Sequence, residues 1–128
     1  MFAEELRRGV ALFNTGHYFE CHDVLEDLWR GTRGADRLFL QGLIQLAVGL
    51  YHAGNGNWRG ANSQLRKSTA KLEQYRPAFR GVDVDRLLAD SIPWISRTEP
   101  GSPWTENREE NLVRPKIQYF HLESSKEN

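Results

Sequence analysis

The chain has 128 residues, and its 17 basic and 17 acidic side chains give a formal net charge of zero. This length suits one domain with a moderate core, and the balanced charge excludes a general attraction to nucleic acid or acidic lipid. The single cysteine, Cys21, excludes an internal disulfide bond and suits a reducing compartment. Because no signal-peptide pattern opens the sequence, we expect a cytoplasmic protein.

The first 29 residues predict a hairpin of two amphipathic helices. Apolar residues recur every three or four positions over residues 2–14, and residues 14–16, Asn-Thr-Gly, then supply a turn. A second helix is expected from about His17 to Trp29. Its outer face is made acidic by four carboxylates: Glu20, Asp23, Glu26 and Asp27.

The segment from Leu38 to Trp58 has no charged side chain, and its first part, Leu38 to Ala53, predicts a helix that is apolar on almost every face. Such a helix must be enclosed by protein or lipid. A membrane span needs about 20 mainly apolar residues, and this helix is shorter and contains two glutamines and a histidine. We therefore expect it at the centre of a bundle, with no membrane contact and with Asp36 as its N-cap.

The rest of the chain predicts a fourth helix from about Trp58 to Tyr75 and a short fifth helix from Asp83 to Asp90. Prolines from residue 93 onward predict an irregular, extended tail from about residue 91 that wraps the bundle as far as Phe120. The predicted fold is all-α: a four-helix bundle-like pair of antiparallel helical hairpins, a short fifth helix and an extended C-terminal tail. Residues 1–122 would form one domain and residues 123–128 a frayed end.

Two further patterns bear on packing. The spacing of Tyr18, Cys21 and Leu25 recurs in Trp58, Ala61 and Leu65, a weak repeat that indicates two similar helical hairpins. In the tail, Trp94 and Trp104 either pack within the chain or leave an apolar patch that could serve a homodimer.

The candidate site combines histidines with a carboxylate. His22 and Glu26 are four residues apart and share one side of the second helix. If that helix packs against the central one, His22, Glu26, Gln45 and His52 converge. Two imidazoles and a carboxylate suit a divalent metal such as zinc, held by His22, Glu26 and His52. They also suit an acid–base pair, or a buried structural pair between helices. The wider candidate binding cleft comprises six residues: His22, Glu26, Trp29, Gln45, His52 and Asn57.

Other chemically capable residues carry weaker patterns. Cys21 lies on an apolar face and is expected to pack and not to react. Arg30, Arg33 and Arg37 flank a glycine-containing loop of a kind that can hold an anion, but their spacing matches no phosphate-loop motif. Nucleic-acid binding is therefore not expected.

Two blocks of sequence resemble the domain-of-unknown-function family numbered 309, small all-helical proteins of prokaryotes and the plastid lineage. The resemblance covers roughly the first 75 residues, and the tail matches poorly. Where family members often carry glutamate after the motif histidine, this chain has Asp23. The first block matches at Phe13, Asn14, Gly16, Tyr18, His22, Asp23, Glu26 and Trp29, and the second at residues 41–45, His52, Asn57, Gly60 and Ala61. The resemblance implies an all-helical fold and no established activity.

Two functions remain open from the sequence. The first is a non-catalytic binding or interaction module, with a polar cleft between the second and central helices that takes a protein or a small molecule. The alternative is a metal-assisted hydrolase or another small enzyme that uses His22, Glu26 and His52. The absence of a recognisable catalytic motif favours the binding module.

Overall fold

Five helices and one short pair of strands make up the described part of the chain. The structure, a computed structural model, describes residues 1–101 and 112–120. The expected all-α fold is confirmed, and the two short strands pair antiparallel with Ala78 opposite Asp83. The elements are α1 (Phe2–Asn14), α2 (Tyr18–Arg30), α3 (Ala35–Gly54), α4 (Trp58–Leu72), a 3₁₀ turn (Glu73–Tyr75), β1 (Ala78–Phe79), β2 (Val82–Asp83) and α5 (Val84–Arg97).

Helix α3 lies at the centre, as its sequence predicts. It packs against α2 on one side and α4 on another, so the part of the helix without charged side chains, from Leu38 onward, is enclosed by protein. Its buried residues are Phe39, Leu40, Gly42, Leu43, Leu46, Ala47, Gly49, Leu50 and Ala53. Within residues 1–101 and 112–120, no helix combines the length and the hydropathy needed to cross a membrane.

The turns that follow α1 and α3 have the same backbone structure, 40 positions apart. Gly16 and Gly56 both adopt positive φ, 83° and 76°, which glycine accepts without strain. The next residue of each turn, His17 or Asn57, donates its backbone N–H to the carbonyl five residues earlier, at 2.8 and 2.9 Å. The weak repeat in the sequence is therefore a repeated helical hairpin, α1–α2 and α3–α4.

The same repeat governs how the helices of each hairpin touch. A Cβ atom added to Gly9 of α1 would lie 2.4 Å from Cδ2 of Leu25, and one added to Gly49 of α3 would lie 3.0 Å from Cγ of Leu65. Both leucines are fully buried. Each hairpin is thus closed by a leucine that occupies the space left by a glycine of the partner helix.

Helix α5 differs from the prediction. The expectation that it ends at Asp90 and that the chain is irregular from residue 91 is wrong, because the helix continues through Pro93 to Arg97. A proline inside a helix removes one backbone hydrogen bond, and here the burial of one face offsets that loss. Trp94 on this face is fully buried, and its Nε1 donates to the carbonyl of Val113 at 3.0 Å.

Two smaller predictions meet different outcomes in this region. Trp94 cannot contribute to an exposed dimer patch because it is buried, and Trp104 lies outside the described residues. The expected N-cap of α3, Asp36, is also wrong. Gly34 holds the N-cap position, and Asp36 instead accepts two hydrogen bonds from Arg80, at 2.6 and 2.8 Å.

Residues 112–120 form an extended C-terminal strap, which confirms that part of the expected tail. The side chain of Asn14 makes two hydrogen bonds to the backbone of Ile117, donating to its carbonyl at 2.9 Å and accepting from its N–H at 2.7 Å. Tyr119 pairs with Val82 of β2 in an isolated bridge. The expected frayed end, residues 123–128, lies outside the described residues, and the single domain over residues 1–122 stays a prediction.

We expect Gly9→Ala to lower the free energy of unfolding by about 1–2 kcal/mol. The new methyl group would overlap buried Leu25, and overpacking typically costs about 1–3 kcal/mol, more than the roughly 1 kcal/mol that alanine adds through helix propensity. Chemical denaturation measures the change. The matched control is Gly31→Ala, because Gly31 has negative φ and no atom within 4 Å of an added Cβ. A stabilising Gly9→Ala would contradict the close contact.

The burial of Cys21 predicts a pH-dependent stability. Burial raises the pKa of the thiol from 9.0 to about 12, so above pH 9 only the unfolded state ionises and the folded state loses stability relative to it. Between about pH 8 and pH 10, we expect the free energy of unfolding of the wild type to fall by about 1 kcal/mol more than that of Cys21→Ala. Urea denaturation at the two pH values tests this, and parallel losses in both proteins would refute it.

Candidate functional site

An open pocket lies between α2 and α3, with a cavity volume of about 200 Å³. Both helices contribute three residues to its wall, so the pocket depends on the packing of α2 against the central helix. The structure brings His22 and His52 together here. The lining residues of this aromatic pocket are Tyr18, Phe19, His22, Val48, Tyr51 and His52.

Two large aromatic side chains form the mouth of the aromatic pocket. Phe19 is 54% exposed and Tyr51 is 41% exposed, although their ring centroids are only 5.7 Å apart. The ring of His22 lies 6.1 Å from that of Phe19, and the ring of His52 lies 6.2 Å from that of Tyr51. Adjacent exposed aromatic rings around a concavity are typical of a surface that another molecule covers.

His22 lies between two carboxylates of its own helix. Its Nδ1 is 3.3 Å from Oδ1 of Asp23, and its Nε2 is 3.4 Å from Oε1 of Glu26. The side chains of His22 and Glu26 are 27% and 36% exposed. The pair is therefore partly solvated, and the alternative of a buried structural pair between helices is not supported.

The second hairpin contains a structural counterpart of His22. Asn62 lies 40 positions later on α4, and it is only 6% exposed. Its amide donates to the carbonyl of Ile95 at 2.9 Å and to Oγ1 of Thr98 at 3.2 Å, which ties α5 to α4. Across the described residues, His22 makes no such hydrogen bond to α3. Asn62 therefore joins its helix to the next one, whereas His22, at the corresponding position of α2, faces a pocket.

Asn57 fixes the ring of His52. The Oδ1 atom of Asn57 accepts from the N–H of Gly60 at 3.0 Å and caps α4. Its Nδ2 lies 3.3 Å from Nδ1 of His52. Since an amide nitrogen can only donate, Nδ1 of His52 accepts, and the neutral ring carries its proton on Nε2. Asn57 is thus a positioning residue for His52 and does not line the aromatic pocket.

The remaining candidates of the expected cleft lie elsewhere. Trp29 packs against the core, and the Arg37 guanidinium lies 3.8 Å from its ring centroid. Neither Glu26 nor Gln45 lines the aromatic pocket, and Oε1 of Gln45 is buried without a hydrogen-bond partner among the residues that the structure describes. The wall is therefore mainly aromatic and apolar, and the expected polar cleft is corrected to an aromatic pocket with carboxylates beside it.

Sequence reasoning missed four lining residues, and their positions explain why. Tyr18 sits on the apolar face of α2 and reads as core, and Val48 reads as part of an enclosed helix. Phe19 and Tyr51 carry the usable signal, since each is a large aromatic residue placed off the buried face of its helix and close to a motif histidine.

A three-ligand metal site is not formed by the described residues. No group of three or more histidine, cysteine, aspartate or glutamate side chains in residues 1–101 and 112–120 is placed to hold a metal ion. Zinc sites need at least three protein ligands within about 2.3 Å of the ion. The geometry therefore does not support the expected metal site of His22, Glu26 and His52.

The arginine loop forms a separate pocket of about 390 Å³, lined by Arg30, Gly31, Thr32, Arg33, Gly34 and Arg37. Two of its guanidinium groups have protein partners. Arg37 donates to the carbonyls of Trp29 and Thr32, and Arg30 donates to Asp27 at 2.7 Å. The bonds of Arg37 hold the loop between α2 and α3, and the bond of Arg30 lies within α2.

Comparison with known proteins supports the resemblance to a family. Residues 6–64 match the sequence model of the family described as Domain of unknown function (DUF309). The predicted resemblance is confirmed over these residues, which make up less than half of the chain. The DUF309 match covers most of α1, all of α2 and α3, and the start of α4, so it includes every residue that lines the aromatic pocket.

Two curated relatives extend the DUF309 comparison. The uncharacterized protein YpuF of Bacillus subtilis (strain 168) is 39% identical over 82 residues, which cover 62% of this chain and 47% of YpuF. An uncharacterized protein of Aquifex aeolicus (strain VF5) is 24% identical over 102 residues, which cover 79% of this chain and 31% of that protein. This chain thus spans less than half the length of these relatives, and neither name states an activity.

We expect His22→Ala and Glu26→Ala each to change the free energy of unfolding by less than about 1 kcal/mol, because partly exposed ion pairs contribute about 0–1 kcal/mol. The counterpart variant Asn62→Ala should cost about 1–3 kcal/mol, because it leaves buried polar groups without partners. Thermal and chemical denaturation compare the three. A loss at His22 as large as that at Asn62 would show that His22 is structural.

Proposed function

We propose that this chain is a non-catalytic binding module whose aromatic pocket takes an apolar side chain from a partner protein or peptide. The observation that carries this proposal is the pair of exposed, adjacent rings of Phe19 and Tyr51 at the mouth of the pocket. A cytoplasmic setting, expected from the single thiol, is part of the same proposal.

The repeated hairpin supports a functional reason for these rings. The position of Phe19 in α2 corresponds to Arg59 in α4, which is also exposed. A helix of this hairpin therefore accepts a charged residue where α2 carries phenylalanine. An exposed phenylalanine adds apolar surface in contact with water, a cost that burial by a partner removes.

The size of the pocket favours a side chain over a whole small molecule. Ligand pockets for small molecules typically measure about 300–1,000 Å³, and this cavity measures about 200 Å³. Interfaces between proteins commonly seat one apolar or aromatic anchor in a cavity of limited size, with polar groups at the rim. The two histidines supply those polar groups here.

The chemistry of the site supports binding over catalysis. Cys21 is fully buried and its pKa is raised to about 12, so the thiolate that would act as a nucleophile is disfavoured. His22 and His52 contact carboxylates and an amide, and neither is hydrogen-bonded to a serine, threonine or cysteine nucleophile within the described residues.

Selection from a random 12-residue peptide library displayed on phage tests this proposal. We expect enriched peptides to share an aromatic or aliphatic residue, and to lose at least about tenfold in affinity for the double variant Phe19→Ala/Tyr51→Ala, since a buried anchor contributes about 2 kcal/mol or more. The matched control is Ile92→Ala, which removes another exposed apolar side chain, 47% exposed on α5.

The peptide selection has one supporting and one contradicting result. Unchanged affinity for Ile92→Ala, with circular dichroism showing that the double variant keeps its helices, completes the expected result. Enriched peptides that bind the double variant as tightly as the wild type would overturn the proposal.

A further inference from the structure

Two carboxylates of α2 follow the aromatic pocket toward the C-terminal end of that helix. Asp23 lies four residues after Phe19, and Glu26 lies three residues after Asp23. Side chains at these spacings share one side of a helix, about 5–6 Å apart. Asp23 and Glu26, named here the acidic stripe, therefore lead away from the mouth of the pocket toward the C-terminal end of α2.

The negative charge of the acidic stripe is only partly neutralised. Glu26 lies 3.7 Å from Arg30, but Arg30 makes its shorter contact, 2.7 Å, with Asp27. Asp23 is paired only with His22 among the described residues, and that pair carries opposite charges only when the ring is protonated. Over residues 18–30, α2 has four carboxylates and one arginine.

The α3 wall of the aromatic pocket supplies no charge, and on the α1 side Asp23 lines a pocket with Glu5 and Arg8, which pair with each other. From Leu38 to Gly54, α3 contains no lysine, arginine, aspartate or glutamate. The nearest basic side chain at the other end of the pocket is Arg114, which donates to the carbonyl of Leu50 and lies 5.3 Å from the ring centroid of Tyr18. The unbalanced negative charge beside the aromatic pocket therefore lies at the acidic stripe, at the end of the pocket away from Arg114.

The aromatic rings at the mouth favour the same sign of ligand. A lysine or arginine side chain is attracted to an aromatic face within about 6 Å of the ring centroid. The exposed ring of Phe19 lies one helical turn before Asp23, so one cationic side chain can contact this ring and this carboxylate together. Its aliphatic stem would also cover apolar surface.

We propose that the partner of the aromatic pocket is a cationic peptide segment, with an apolar anchor in the pocket and lysine or arginine side chains over the acidic stripe. This inference rests on the proposed function and adds the chemistry and the direction of the ligand. The basic residues lie on the side of the anchor that faces Asp23 and Glu26, away from Arg114. Charge complementarity selects this occupant over a neutral or an acidic peptide.

The same peptide selection supplies the first test. Peptides whose enrichment depends on Phe19 and Tyr51 should carry a net positive charge, with lysine or arginine concentrated on one side of the apolar residue. Replacing those basic residues by glutamine in one enriched peptide should weaken its binding about tenfold or more. Isothermal titration calorimetry measures both affinities against the full chain.

Charge variants of the protein supply the second test. We expect Asp23→Asn and Glu26→Gln each to weaken the binding of that peptide about twofold to fivefold, since a partly exposed ion pair contributes up to about 1 kcal/mol. Raising the salt concentration should weaken binding to the wild type more than binding to the double variant Asp23→Asn/Glu26→Gln. The matched control is Asp90→Asn, which removes the same charge from α5, where Asp90 contacts Arg86.

The results distinguish the proposed cationic partner from the proposed function of the aromatic pocket. Neutral or acidic enriched peptides that still require Phe19 and Tyr51 would overturn the cationic partner and leave the pocket function standing. Peptides that require neither ring would overturn both. An equal loss in Asp90→Asn and in the stripe variants would also overturn the cationic partner, because it would indicate attraction to net charge alone.

Discussion

The enclosure of the long apolar part of α3, which has no charged side chain from Leu38 onward, is the constraint on which the rest of the structure depends. Helix α3 can be stable in water only if α2 and α4 cover its apolar surface. Within each hairpin the two helices touch closely, because Leu25 fills the space beside Gly9 and Leu65 fills the space beside Gly49. The packing of the first hairpin against the second brings α2 alongside α3, and the pocket lies where their aromatic side chains reach the edge of that contact.

The two hairpins share one backbone structure but use the polar residue in the middle of their second helix differently. In the second hairpin, the polar residue in the middle of the helix, Asn62, is buried and joins α4 to the following helix. In the first hairpin the corresponding residue is His22, and an open pocket lies between it and the following helix, α3. The difference is local: the buried amide of Asn62 donates to the carbonyl of Ile95 on the following helix, whereas the imidazole of His22 lies between two carboxylates of its own helix and stays partly solvated.

Apolar periodicity was sufficient to predict the first four helices to within a few residues, because the burial of each face decides their existence. It failed for α5, because the contact that sustains that helix, Trp94 with Val113, lies far outside any local window. The spacing of polar residues along the helices predicted His22 and His52 as site residues, but it did not predict Phe19 or Tyr51. Helical spacing places both rings off the buried faces of their helices, but it does not show that the rings lie side by side at a pocket, because that depends on how α2 and α3 pack.

The reciprocal bonds between Asn14 and Ile117 explain a residue that belongs to the first family block. Of the short side chains, only a carboxamide offers a fixed donor and a fixed acceptor at once, so neither serine nor aspartate could satisfy the strap equally well. The identity of a turn residue near the start of the chain is thereby dictated by backbone 103 positions away. The DUF309 match ends at residue 64, so a fragment cut at that boundary would separate this amide from the groups that it serves.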